Sequence, residues 1–172
     1  MNKQKLEPDK TSGDDPKRLE ALRGYNIFGT PSEKSFDNIA QLAAEIFEVP
    51  ISLVTFVDTE NVFLKSNLGM EEIRISPKTN SLCAISLSND DVALFNDIAN
   101  INPLLLSDPI TAAELGFKFY AGAPLITPDG FRIGTICVLD TKPRIFSEKD
   151  KRVLKKIAII VMDEIELRLN QR

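Results

Sequence analysis

The stretch Thr127-Pro128-Asp129-Gly130-Phe131 limits the fold of this chain more than any other. Pro holds φ at about −65°, Asp bonds its own local backbone and Gly admits positive φ, so the segment is a tight turn. Phe117-Lys118-Phe119-Tyr120-Ala121-Gly122-Ala123-Pro124-Leu125 stands before it and Gly134-Thr135-Ile136-Cys137-Val138-Leu139-Asp140 after it. Both runs have strand composition, so the prediction is a hairpin within an antiparallel sheet. Strict alternation on either side of Thr127 and Phe131 puts Phe119, Ala121, Ala123 and Leu125 on one face with Ile133, Thr135, Cys137 and Leu139. Tyr120, Gly122, Pro124, Gly134, Ile136 and Val138 take the other. The small residues Ala121, Ala123, Thr135 and Cys137 make the first face the choice for a ligand chamber. The same residues would equally let a helix approach closely.

Around this hairpin the chain reads as one domain. Residues 1–14 are polar and charged with almost no apolar side chain, which predicts a flexible tail ahead of a single domain over 15–172. Asp15-Pro16 opens a short helix with Leu19, Leu22 and Tyr25. Thr30-Pro31-Ser32-Glu33 has the pattern of a capping box, opening a helix with Phe36, Ile39, Ala40, Ala43, Ile46 and Phe47 at helical period until Pro50 stops it. Residues 51–57 and 62–67 read as strands about a turn at 58–61. Residues 91–98 read as a further strand, and 99–117 as a loop broken by Pro103 and Pro109. Ser147 caps a last helix running to about Leu169. Strands joined by short turns, with helices gathered at the ends, predict an α+β layer fold.

Composition narrows the function. The 172 residues carry 21 basic and 25 acidic side chains, a net charge of −4 that offers no general field for nucleic acid or an anionic membrane. No apolar run reaches the roughly 20 residues a membrane span requires, and the first residues do not form a signal peptide, so the expected location is the cytoplasm. His is absent, which removes Ser/His and Cys/His nucleophile pairs, His-ligated zinc and a phospho-accepting His. Cys83 and Cys137 lie in apolar stretches and read as reduced thiols.

Several strings, in order, resemble the GAF domain, a ligand-binding sensory module related in architecture to PAS domains. They are Arg18-Leu19-Glu20-Ala21-Leu22, Thr30-Pro31, residues 51–58 with Lys65-Ser66 and Leu68-Gly69, Ser81-Leu82-Cys83-Ala84, Asp97, Asp108-Pro109, residues 119–125, Pro128-Asp129-Gly130, residues 134–140 and 144–147. The resemblance implies an antiparallel sheet of about six strands. It places the N- and C-terminal helices on one face and pocket-forming loops and short helices on the other. It also implies a non-enzymatic regulatory role, in which a small molecule or a signalling protein is bound and the state is passed on through the terminal helices. No cofactor is specified. The ligand-binding candidates are Cys83, Asp97, Phe119, Ala121, Ala123, Thr135 and Cys137.

Alternatives stand beside this. GAF-fold reductases that act on free methionine sulfoxide use cysteines, but the strings around Cys83 and Cys137 do not resemble theirs. Bilin attachment in related photosensors uses a Cys-His pair that the loop over 99–117 lacks, and Ile85 stands where many similar members have His. The constellation of the cyclic-nucleotide-binding members is absent as well. Asp97 reads either as a turn aspartate accepting the amides of Ala99 or Asn100 or as a ligand contact. Lys65 and Arg74 read either as solvated or as partners of an acidic metabolite. A third role is a dimerisation scaffold with a filled interior.

The last helix points to self-association. Ile157-Ala158-Ile159-Ile160-Val161-Met162 is apolar in every direction rather than along one stripe. Lys149, Lys151, Arg152, Lys155 and Lys156 crowd its first half, and Asp163, Glu164 and Glu166 its second, an order that opposes the helix dipole. A two-fold homodimer through the terminal helices, which if antiparallel sets each basic half beside the partner's acidic half, accounts for both; so does a monomer whose N-terminal helices cover the run and whose charges are solvated.

Overall fold

The computed structural model describes residues 16–70, 75–77, 86–88, 90–98 and 116–170. Its elements are α1 (Pro16–Gly24), α2 (Lys34–Phe47), β1 (Ile51–Val57), β2 (Asn61–Leu68), β3 (Ile75–Pro77), a single 3-10 turn (Ser86–Ser88), β4 (Ala93–Phe95), β5 (Phe119–Ile126), β6 (Arg132–Asp140) and α3 (Glu148–Asn170). The six strands form one antiparallel sheet in the order β3-β2-β1-β6-β5-β4. β1 and β6 lie at its centre. The flexible tail expected over residues 1–14, Cys83, Arg74 and most of the loop over 99–117 lie outside the described residues.

The turn chemistry of the hairpin is as the residues demand. The Thr127 amide donates to Phe131 O, the Phe131 amide to Thr127 Oγ1 at 3.0 Å, and Gly130 takes φ +91°. Beyond the turn, one residue changes everything that follows. Ile126 faces Arg132 but Leu125 faces Gly134, so Ile133 is an extra residue in β6, a β-bulge that shifts the register by one. From there on the odd positions of β5 pair with the even positions of β6: Ala121 with Val138, and Ala123 with Ile136. The expectation of shared odd faces is therefore corrected. Phe119, Ala121 and Ala123 lie on one side of the sheet, and Thr135 and Cys137 on the other.

Helices α2 and α3 pack on the first side, where Phe36, Phe56, Ala121, Ile136, Leu154 and Val161 belong to one buried core. A second apolar cluster, including Leu53, Val62, Leu87, Tyr120, Cys137 and Leu139, occupies the far side. Gly134 lets β6 lie against β1 opposite Phe56; a Cβ there would run into the Thr55 carbonyl oxygen.

The helix ends show what local pattern could and could not foresee. At α3 the Asp150 amide donates to Ser147 Oγ at 3.0 Å and the Ser147 amide donates back to Asp150 Oδ2 at 2.9 Å, a reciprocal cap. At α2 the expected capping box does not form: the helix begins at Lys34, and no side chain caps it. Thr30 Oγ1 donates instead to Ile27 O at 2.5 Å, and Glu33 turns toward Lys65 and Arg168. The strand expected over 91–98 contracts to Ala93–Phe95. Glu48 ends α2 in the left-handed region at φ 53°, and Arg144 closes that end by donating to the carbonyls of Phe47, at 2.9 Å, and Glu48. The same guanidinium donates to Asp140 Oδ2 at 2.5 Å. Burial works to raise the Asp140 carboxyl, but the hydrogen bonds from Arg144 and the Thr141 amide prevail and hold it below the usual range.

Candidate functional site

At the centre of the far face two hydroxyls meet. Thr55 on β1 and Thr135 on β6 stand opposite each other, and their Oγ1 atoms are hydrogen-bonded at 2.8 Å. One step along, Cys137 faces Leu53 on β1 and Gly122 on β5. Across β5, Tyr120 Oη and Ser86 Oγ are hydrogen-bonded at 2.6 Å. Gly122 makes that possible, since a Cβ there would collide with the Tyr120 hydroxyl and crowd Ser86 Oγ. All of these side chains are buried, so the far face presents a neutral polar seam set in apolar wall. Hydroxyls can donate or accept and carry no charge, so the seam can orient a polar group.

The helix side holds its polar atoms quite differently. Lys65, at the irregular step in β2, is 1% exposed, and its Nζ donates to Thr30 Oγ1 at 2.7 Å, Pro31 O at 2.5 Å and Glu33 Oε2 at 2.5 Å. All three ammonium protons are thus placed. Glu33 also accepts from Arg168 Nε on the last turn of α3 at 2.8 Å, and Arg168 donates onward to Tyr25 O at 3.2 Å. Burial works to raise the Glu33 carboxyl, but hydrogen bonds from Lys65 and Arg168 prevail and hold it below its ordinary value of 4.5. Beside this relay the Tyr25 hydroxyl donates to Glu166 Oε1 at 2.5 Å; burial, then that bond, push the phenol well above its usual range. Arg18 on α1 is buried too, donating to Val57 O at 2.7 Å and Arg132 O at 3.0 Å.

Of the seven residues expected to contact a ligand, the structure brings Thr135 and Cys137 together on the far face. Phe119, Ala121 and Ala123 pack into the core beneath α2 and α3. Phe119 lies against the Phe146 ring, 5.6 Å centroid to centroid. Asp97 is half-buried just after β4; the amides of Ala99 and Asn100 that its turn role required lie outside the described residues, as does Cys83. Lys65 is neither solvated nor open to a metabolite, because its three donors are used internally. Thr55, Tyr120 and Ser86 were missed. Thr55 and Tyr120 sit inside runs that read only as strand, and nothing but the pairing of β1, β6 and β5 reveals their hydroxyls as neighbours. Among the described residues no group of three or more His, Cys, Asp or Glu side chains could hold a metal, and no helix is long and apolar enough to cross a membrane.

A six-stranded antiparallel sheet, with its terminal helices on one face and a polar seam on the other, defines an α+β layer fold. The comparisons make the family specific: the GAF domain profile matches residues 31–165, and the chain belongs to that family. A curated relative, the cyclic di-GMP phosphodiesterase PA2567 of Pseudomonas aeruginosa, is 32% identical over 135 residues, covering 78% of this chain and 23% of that protein. The chain thus spans under a quarter of that relative's length. Among solved structures, the type II free methionine-R-sulfoxide reductase of Thermoplasma acidophilum superposes with a TM-score of 0.64 at 17% identity, covering 86% of this chain and 94% of that one. The chromophore-binding domain of an unusual bacteriophytochrome from R. palustris gives 0.64 at 13% identity, covering 91% and 62%. Identities this low show a shared fold alone.

Proposed function

We propose that this chain is a non-enzymatic regulatory module that binds a small molecule against the far face of its sheet, reports through its terminal helices and works as a homodimer. The observation that carries this is the hydrogen-bonded Thr55–Thr135 pair beside Cys137, an uncharged polar seam at the sheet's centre on the face the helices leave. Thr135 and Cys137 are the ligand contacts in this proposal, joined by Thr55; Cys83 and Asp97 remain candidates. The relay from Lys65 through Glu33 to Arg168 gives β2 a direct connection to the last turn of α3. Cys137 stays a thiol buried in the sheet, in keeping with the cytoplasmic location proposed here.

Native mass spectrometry of the purified chain tests the binding role. The expected result is an added mass that Thr135→Leu, which fills the seam, releases. A bare chain in every preparation, with no melting shift across a panel of small metabolites, would overturn it. The fold shared with a free methionine-R-sulfoxide reductase gives a second reading, cysteine-dependent reduction. Thiol-dependent loss of free methionine sulfoxide that is abolished by Cys137→Ala would install that reading in place of the first.

A further inference from the structure

We propose that the outward face of α3 is the seam of an antiparallel homodimer, with the two-fold axis at Ile159 and Ile160 and Lys156 of each copy facing Asp163 of the other. This rests on the homodimer reading and adds its surface, direction and register.

The apolar run in α3 is only half used by the fold. Leu154, Ile157, Val161 and Ile165 are buried in the helix-side core, whereas Ile159 is 54%, Ile160 48% and Leu167 50% exposed. At about 100° per residue, Arg152, Lys156, Ile159, Ile160, Asp163 and Leu167 all point about 100° or more away from Val161. They form one outward stripe that is basic at its start, apolar in the middle and acidic toward its end. On neighbouring α2, Leu42 and Ile46 are likewise about half exposed, at 48% and 47%, although the helical period of Ile46 predicted a core position.

The charges choose the occupant. Several neighbours on α3 are already engaged: Lys155 with Asp91, Lys151 with Glu148, Arg168 with Glu33, and Glu166 with Tyr25. Lys156 and Asp163 have no ion-pair partner among the described residues, and both are exposed. They stand equally far on either side of the Ile159–Ile160 midpoint, as do Arg152 and Leu167. A two-fold axis through that midpoint, perpendicular to the helix, therefore sets Lys156 against Asp163 twice and lays the stem of Arg152 over Leu167. A parallel pair would set Lys156 against Lys156 and Asp163 against Asp163, repelling at both ends. The antiparallel pair also opposes the two helix dipoles. A second copy satisfies the charge order that the helix by itself leaves unfavourable.

Sedimentation equilibrium of the full chain tests this, with circular dichroism confirming that each variant folds. Lys156→Glu and Asp163→Lys are each expected to weaken dimerisation at least tenfold, and the double variant K156E/D163K, which restores both pairs with signs exchanged, to recover it. A dimer that neither single change weakens, or that the double change fails to rescue, would overturn the antiparallel register while leaving the homodimer in place. Preferential pairing of K156E with the unaltered chain in an equimolar mixture, absent any rescue, would point to the parallel arrangement and overturn it too. A monomer at every concentration would overturn the homodimer itself.

Discussion

On the helix side of the sheet, two charges enter the core fully: Lys65 and Arg18 are held by carbonyls and, for Lys65, by the Glu33 carboxylate. On the far side neutral hydroxyls pair with one another, Thr55 with Thr135 and Tyr120 with Ser86. A buried ammonium without its carboxylate costs several kcal/mol, so the first arrangement has essentially one geometry it can adopt. A hydroxyl pair is worth about 1 kcal/mol and can turn to a new partner at little cost. The difference teaches where rigidity and adaptability lie: the helix side fixes the frame, and the far side has hydroxyls that can re-pair, as the proposed binding role requires.

The largest test of this contrast is Glu33→Ala, which strands Lys65 in the core and frees Arg168. It should cost about 3 kcal/mol in urea unfolding. A loss under about 1 kcal/mol, the size of an exposed ion pair, would dissolve the contrast. Next, Ala121→Leu overpacks the space beneath the helices and should cost about 2 kcal/mol. Thr135→Val should cost about 1 kcal/mol by removing the hydroxyl–hydroxyl bond and leaving Thr55 Oγ1 only the carbonyl of residue 135, at 3.4 Å, and Thr55→Val with Thr135→Val together should cost less than the two singles added. Full additivity would mean that the hydroxyls act separately.

The smallest effect is on pH dependence. Glu33 and Asp140 both have depressed carboxyl values in the folded chain, so they bind fewer protons folded than unfolded in acid. Their contribution to stability is complete above the ordinary carboxylate range and is lost as pH falls through their lowered folded values. Unfolding free energy followed from pH 6 downward, on the order of three pH units, should fall, and less steeply in Glu33→Gln. An identical slope in that variant would remove Glu33 from the acid response.

What could be read from the chain beforehand was whatever local chemistry decides. The hairpin turn follows from Pro128, Asp129 and Gly130, and the start of α3 from Ser147 and Asp150, because each bonds within a few residues of itself. The cap at Thr30 and Glu33 failed for the opposite reason: Lys65, distant in sequence, donates to the side-chain oxygens of both, which the cap would have needed as acceptors. Ile133 escaped notice because an extra residue in a strand has no composition of its own, yet it alone moved Ala121 and Ala123 away from Thr135 and Cys137. Half of the seam was visible in one strand; Thr55 joins it only through the pairing of β1 with β6.

The clasp around Arg144 has a mechanical consequence. It gathers the ends of α2 and β6 immediately before α3, and Phe146 wedges between the Phe47 and Phe119 rings at 5.0 and 5.6 Å. The start of α3 is thereby a fulcrum, while its far end is held by Arg168 and by Glu166 through Tyr25. Over its 23 residues the helix is a lever about 34 Å long, and a tilt of about 5° at the fulcrum carries the far end about 3 Å. In the reporting role proposed above, such a tilt would be read at the far end as a strain on the Arg168–Glu33 and Tyr25–Glu166 contacts.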